Sequence, residues 1–396
     1  VATSNDIGVT DLLPRLKDQG YDAERVARRR AWIEEKTGAS LSHIGRVSFD
    51  TEELRGNIEN PIGVAQMPMG VAGPVLVHGR HANGLFYIPM ATTEGALIRS
   101  YERGMVALTR AGGVQTAILA DENQIVPTFF FEDVASAAAF SEWLPGQLSQ
   151  IREAAESTTR HGKLTDLKSY QTGRQVLVNF GYFTGDAQGM NMLVKATDRA
   201  CQWIQANYPG ATYFVFSGMC SEKRPSGFLL TRGKGKRVTA GALLPHDVLK
   251  MYLHCTAEAL FRIWHTTVIG HLQANSIGYN AQYANGLTAI FIATGQDVAN
   301  VVNASCGITN FELHPDGLYV SLTLPALTVA TVGGGTNLPT QREALSIMDC
   351  FGAGKAKKFA EIVAAAVLGG EISMGAAITT GEFVAAHEHY GRNRPK

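Results

Sequence analysis

Four short stretches of the chain carry side chains suited to moving protons and steadying charge. Met90-Ala91-Thr92-Thr93-Glu94-Gly95-Ala96-Leu97 sets one acid among small residues at a predicted strand-to-helix junction. Ser217-Gly218-Met219-Cys220-Ser221-Glu222-Lys223-Arg224-Pro225 puts two adjacent cations on a loop after a predicted strand. Gly295-Gln296-Asp297 places an acid inside an otherwise apolar stretch, 286–302, that reads as helix. His387 follows a helical segment in a polar tail. Carboxylates and imidazoles are the usual general acids and bases, and a lysine beside a carbonyl stabilises an oxyanion. Each stretch alone also has a bland explanation. A helix-end Glu is commonly a cap or dipole partner, a mid-helix Asp finds a surface Lys, and a tail His is solvated.

The elements that must position these groups follow from periodicity and punctuation. Residues 11–36 are charged and helix-prone, with Arg28-Arg29-Arg30 as a solvated face. Strands are predicted at 75–77 and 85–89, and a helix at 93–111. A strand at 125–131, a long helix at 135–158 broken by Pro145, strands at 164–170 and 175–182, a helix at 190–208 and a strand at 212–216 follow. The order β-α-β-β-α-β is that of a ferredoxin-like unit. Strands at 228–231 and 237–242 flank the basic turn Arg232-Gly233-Lys234-Gly235-Lys236, which reads as a hairpin turn rather than a nucleic-acid patch. Apolar helices are predicted at 246–267, 282–303 and 355–389.

The expected fold is thus α/β of the α+β kind: a large, mostly helical domain with an inserted ferredoxin-like β-α-β-β-α-β domain. The boundaries are an N-terminal helical segment at 1–50, a large domain at 51–123 and 218–396, and a small domain at 124–217. No G-x-G-x-x-G follows a strand, so a dinucleotide site would not be of the Rossmann kind.

The bulk composition narrows the class. With 45% apolar and 18% charged residues the chain reads as a globular enzyme. Lys plus Arg and Asp plus Glu balance at 35 each, which gives no electrostatic reason to expect nucleic acid or a membrane surface as partner. The five cysteines form no C-x-x-C pair and are odd in number, so free buried thiols, no metal site and a reducing, cytoplasmic compartment are expected. No basic-then-apolar leader opens the chain, and the most apolar window, 362–378, is interrupted by Gly369, Gly370 and Glu371.

Together the motifs resemble the 3-hydroxy-3-methylglutaryl-CoA (HMG-CoA) reductase family, in its class I-like form, from about Asn60 to His387. The matching stretches run in order: Glu59-Asn60-Pro61-Ile62-Gly63, PMGVAGP at 68–74, residues 89–97, Asp186-Ala187-Gln188-Gly189-Met190-Asn191-Met192, Gly295-Gln296-Asp297, and Thr331-Val332-Gly333-Gly334-Gly335-Thr336. The resemblance implies roles. Lys223 matches the oxyanion-stabilising lysine, Glu94 the proton-donating glutamate, Asp297 the aspartate linking the two, and His387 the histidine that protonates the departing thiolate. Asp186, Gly189, Met190, Asn191 and Met192 match the dinucleotide motif, with Gln188 in place of its first Met. Thr159 and Arg160 lie in the stretch expected at the 2′-phosphate, which favours NADPH as cofactor. Ser217, Arg224 and Asn285 are expected to touch substrate. Family members share each active site between two subunits, so a homodimer or higher homo-oligomer is implied.

The departures fall in substrate recognition. Two family cations are replaced by Ile125 and Thr266, and a histidine by Gln282. They leave three expectations: reduction of HMG-CoA to mevalonate, reduction of another acyl thioester on CoA or a carrier protein through an altered pocket, or a non-catalytic binding homologue.

Overall fold

The computed structural model describes residues 20–383. It opens on α1 (Ala23–Thr37), whose N-terminus is capped by the Asp22 carboxylate and whose C-terminus closes on Gly38 in the left-handed region. The arginine run on this helix is not a wholly solvated face. Arg29 is buried and donates to the Gly20 and Pro61 carbonyls, and Arg30 donates to that of Ile62. The extended 61–63 segment leaves its carbonyls without ladder partners, and the guanidiniums satisfy them.

β1 (Met69–Gly79) and β2 (Asn83–Ala91) form an antiparallel hairpin, α2 (Leu97–Arg110) follows, and β3 (Val114–Ile125) returns parallel to β1. β3 serves two sheet regions. Its residues 115–122 pair with β8 (Gly235–Pro245), and residues 123–125 pair with β6 (Gln175–Phe183). Pro127, which lacks an amide donor, separates it from β4 (Thr128–Phe130), so the expected single strand at 125–131 is two.

Around β6 the β-α-β-β-α-β order is present. β4 leads to α3 (Val134–Trp143) and α4 (Leu148–Glu156), split at Pro145 by a 3₁₀ turn as expected. β5 (Lys163–Thr172) pairs with β6, α5 (Met190–Asn207) follows, and β7 (Thr212–Phe214) pairs with β4. The strands lie in the order β7-β4-β6-β5, all antiparallel. One face carries its own core, built from Phe129, Phe140, Phe180, Leu193 and Ile204.

The larger core is less helical than expected. Its strands run β2-β1-β3-β8-β10-β9, with β9 (Ile308–His314) and β10 (Gly317–Leu327) closing the far edge. β10 alternates from Leu318 to Leu324, burying Leu318, Val320, Leu322 and Leu324, and is buried on both faces at its end. Residues 228–231 are not a strand but part of α6 (Gly227–Arg232). The expected helix at 246–267 is α7 (His246–Tyr252) and α8 (Ala257–Gln273), separated where His254 takes a left-handed conformation and Thr256 caps the second helix. That at 282–303 is α9 (Tyr283–Thr294), ended by left-handed Gly295, then a 3₁₀ turn and α10 (Val301–Ala304). α11 (Pro339–Ile347) precedes α12 (Ala356–Thr380).

α12 runs unbroken through Gly369, Gly370 and Glu371. It is long and apolar enough to cross a membrane by length and composition, yet 72% of that window is buried inside the protein. The glycines do not end the helix because they let α2 approach: a Cβ at Gly104 would lie 1.8 Å from the Gly369 carbonyl oxygen. All five cysteines are free and buried.

Candidate active site

Lys223 sits on a turn whose neighbours hold it tightly. Ser221 and Lys223 have φ of 52° and 56°, a region that costs residues with a Cβ. The turn persists because its polar groups are taken up. Asn303 donates to the Ser221 carbonyl at 2.8 Å, the Ser221 and Ser226 hydroxyls meet at 2.6 Å, and the Ser217 hydroxyl donates to the Val126 carbonyl at 2.6 Å. Lys223 Nζ then lies 2.8 Å from Asp297 Oδ2. The hydrogen bond to Asp297 raises the Lys223 ammonium above its ordinary value, against partial burial, so the cation is secure at neutral pH.

Asp297 is not inside a helix. It follows the glycine that ends α9, and its Oδ1 accepts from the Ala299 amide at 3.1 Å, capping the next turn. One carboxylate oxygen fixes the side chain and the other faces the ammonium. Arg224 is exposed beside Lys223.

Glu94 lies past the end of β2. The Thr92 hydroxyl accepts from the Glu94 amide at 3.0 Å, and Ala96 has φ of 70°, so α2 starts at Leu97 rather than at 93. Glu94 Oε1 accepts from Asn285 Nδ2 at 3.3 Å, in the first turn of α9. That turn is anchored from within by Glu371, which accepts from the Ala281 and Gln282 amides at 2.9 and 2.7 Å and from the Thr309 hydroxyl at 3.0 Å. Burial raises the Glu371 carboxyl above its ordinary value, and these donors oppose the shift. Gln282 donates to the Gly370 carbonyl and, at 3.3 Å, to the Ser100 hydroxyl.

A cavity of about 650 Å³ opens beside Glu94, lined in part by Arg99, Ser100, Arg103, Asn285 and Met374. Arg103 donates to the Ser373 carbonyl at 2.7 Å and pairs with Glu382, which also meets His254 Nδ1 at 2.8 Å. The His254 hydrogen bond and the Arg103 guanidinium hold the Glu382 carboxyl below its ordinary range.

Within one chain the two clusters do not meet. Glu94 and Asn285 stand at the start of α9, Lys223 and Asp297 beyond its end. At 1.5 Å per residue that helix keeps Asn285 and Asp297 roughly 15 Å apart. His387 lies outside the described residues.

The residues expected at a dinucleotide do come together. Gly189, with φ of 76°, opens α5, whose first turn is Met190-Asn191-Met192. Thr159 donates to Met192 Sδ at 2.8 Å, bringing the 157–160 turn against that helix end, with Arg160 exposed beside it. Asp186 is differently employed. Its Oδ2 accepts from the Gly354 amide at 2.7 Å and its Oδ1 from the Ala356 amide at 3.0 Å, tying the loop before α5 to the N-terminus of α12.

Two expected substrate positions lie elsewhere in the chain than beside Glu94. Ile125 is 0% exposed and packs in the core around Phe129 and Phe180, because as the last residue of β3 it pairs with β6 on that buried face. Thr266 is exposed on α8 and donates back to the Arg262 carbonyl at 2.8 Å. Neither lines the cavity beside Glu94, whose cations come from α2. Sequence reasoning missed Asn303, Arg103 and Glu382, which carry no local signal. It saw Glu371 only as an interruption, although an acid in so apolar a helix was itself a signal.

Comparison with known proteins places the fold and site in context. The family described as Hydroxymethylglutaryl-coenzyme A reductase matches residues 25–392. The 3-hydroxy-3-methylglutaryl-coenzyme A reductase of Pyrococcus abyssi is 46% identical over 374 residues, covering 92% of each chain. That of Methanocaldococcus jannaschii is 43% identical over 372 residues, again 92% of each. Reductase 1 of Dictyostelium discoideum is 35% identical, over 96% of this chain and 70% of that one. Among solved structures, a class II 3-hydroxy-3-methylglutaryl-CoA reductase from Streptococcus pneumoniae, bound to NADPH in open conformations, shares the fold with a TM-score of 0.67 at 18% identity, over 91% of this chain and 98% of that one. The class defined is an α+β oxidoreductase. The chain belongs to the hydroxymethylglutaryl-coenzyme A reductase family. With the family model and the relatives named above sharing one description, neither an altered acyl substrate nor a non-catalytic role has support.

Proposed function

We propose that the chain reduces the thioester of HMG-CoA to mevalonate and free coenzyme A. Thioester to alcohol is a four-electron reduction, so two hydrides and two protons are consumed, and NADPH when bound supplies the hydrides. The observation that carries the reading is the Lys223–Asp297 pair at 2.8 Å on a braced turn, in a chain that belongs to this family. Lys223 donates to the carbonyl oxygen as negative charge grows there. Asp297 holds the ammonium in place and charged. Glu94, oriented by Asn285, delivers the proton to the alcohol oxygen. His387 protonates the departing thiolate. Ser217 braces the loop and Arg224 faces the acyl group's carboxylate.

The residues at the α5 N-terminus fit a dinucleotide. Free amides of Gly189, Met190, Asn191 and Met192 suit a pyrophosphate, and the exposed Arg160 guanidinium suits a 2′-phosphate. Asp186 shapes that loop from behind by its hold on α12. The separation of the Glu94 and Lys223 clusters supports a two-fold homodimer in which Glu94 of one copy faces Lys223 of the other. The five buried free thiols support a reducing, cytoplasmic setting.

The test is NADPH oxidation with HMG-CoA, alongside a neutral acyl-CoA, with thiol release followed in parallel. Two NADPH oxidised per thiol released, with HMG-CoA alone, is the expected result. No turnover of HMG-CoA would reject the reading.

A further inference from the structure

Arg232-Gly233-Lys234-Gly235-Lys236 reads in sequence as a basic surface turn, and nothing in the proposed chemistry uses it. Its three cations point inward, each against an acid. Arg232 Nη2 lies 3.2 Å from Asp166 Oδ2 and also contacts Glu122. Lys234 Nζ lies 3.0 Å from Glu222 Oε2, and Lys236 Nζ lies 3.4 Å from Asp121 Oδ1. The glycines between them permit this. Gly233 and Gly235 have φ of 77° and 70°, and a Cβ would come within 2.6 Å of the Pro325 carbonyl oxygen or 2.8 Å of that of Leu327.

The middle pair is the most enclosed: the Lys234 side chain is 0% exposed and that of Glu222 only 11%. Lys234 Nζ also donates to the Gln124 carbonyl at 3.1 Å, which fixes it to the end of β3. Glu222 stands between Ser221 and Lys223, the two residues with positive φ. A turn of that kind does not hold itself. Asn303 and Ser226 grip it at Ser221. Lys234 grips it one residue from the reactive amine, drawing Glu222 inward and leaving Lys223 presented to Asp297.

We infer that Lys234 is a positioning residue: acting through Glu222, it holds the 221–223 turn in the conformation that sets the Lys223 ammonium against Asp297 and the substrate carbonyl. The effect on turnover rests on the proposed function; the effect on the position of Lys223 does not.

The test compares the parent with Lys234→Met, Glu222→Gln and the double variant, all in the full chain. Thermal midpoint, kcat and KM for HMG-CoA and NADPH are measured. The rate at which acetic anhydride marks Lys223 is read by peptide mass spectrometry across pH. Lys234→Met leaves a buried carboxylate unpaired, so its midpoint falls; the double variant carries no buried charge at this pair and regains it. A merely structural pair would return kcat along with stability. A positioning pair leaves kcat down by about 30-fold or more in both Lys234→Met and the double variant, with KM within about threefold.

Labelling gives a second sign. Removing the Lys234 charge alone would make Lys223 harder to deprotonate, whereas losing contact with Asp297 makes it easier, so faster labelling at a given pH in Lys234→Met is the expected result. Recovery of kcat in the double variant, a parent-like kcat in Lys234→Met, or labelling that is unchanged or slowed would overturn the inference. If the parent itself fails to turn over HMG-CoA, the proposed function falls, and labelling still decides the position of Lys223.

Discussion

Lys223 and Asp297 have side chains 46% and 36% exposed, so their ion pair contributes little to folding, about 1 kcal/mol at most. In the proposed mechanism its geometry serves the reaction instead. Lys223→Ala and Asp297→Asn are expected to lower kcat by two or more decades, about the loss of one oxyanion donor, with thermal midpoints near the parent's. Turnover within about tenfold of the parent in either variant would remove the mechanism. Glu371 is the opposite case, buried and structural. Its folded-state pKa is raised, so the stability tied to its protonated form is complete below the unfolded value and is lost as pH rises through the folded value. Urea titrations should therefore show the stability advantage of the parent over Glu371→Gln shrinking from acidic to neutral pH. A widening gap would mean that its three donors outweigh its burial. Glu94, Lys223 and Asp297 stand out in the sequence because each sets a charge among small, turn-forming or apolar residues. The partners of Lys234 and Glu371 stay hidden, because a buried partner from a distant element leaves no mark on local pattern.

At the scale of elements, the breaks the sequence hid are those where apolar character continues across a change of backbone. Residues 246–267 and 282–303 look continuous, yet left-handed His254 and Gly295 end one helix each, and only the Gly295-Gln296-Asp297 spelling hinted at a C-terminal glycine followed by a cap. Gly369-Gly370, by contrast, lie inside the helix expected from 355 onward, and glycines that would weaken an isolated helix serve a close crossing there. α2 meets α12 there with backbone against backbone, and α2 begins beside Glu94 while α12 ends near the cavity. Gly104→Ala forces the two apart and is expected to cost about 1–3 kcal/mol by overpacking, seen as a lower urea midpoint. A parent-like midpoint would show that the contact is looser than the geometry states. The ferredoxin-like unit was legible almost element by element, since its strands and helices alternate at short range in the sequence.

At the scale of the whole molecule, the residues proposed to react do not come together within one chain. The Glu94 cluster and the Lys223 cluster stand at opposite ends of α9, a helix of 12 residues too rigid to fold them together. Both clusters are at the surface, as halves of a shared site would be. A two-fold dimer pairs each half with its complement twice, by symmetry. This gives a prediction that a self-contained site does not. Glu94→Gln and Lys223→Ala homodimers should each be inactive. After the two are mixed, dissociated and reassembled, a heterodimer contains one site with both lesions and one with neither. Random pairing makes half of the dimers mixed, so about a quarter of the parent activity should return. Glu94→Gln mixed with Asn285→Ala should return nothing, because both lesions fall in the same half and every site carries one of them. Recovery is measured by NADPH oxidation after exchange, with mixed dimers verified by native mass spectrometry. If mixed dimers form and the first pair stays inactive, the sharing of the site between copies is rejected, and Glu94 and Lys223 of the same chain must meet by a movement that carries Glu94 past the length of α9.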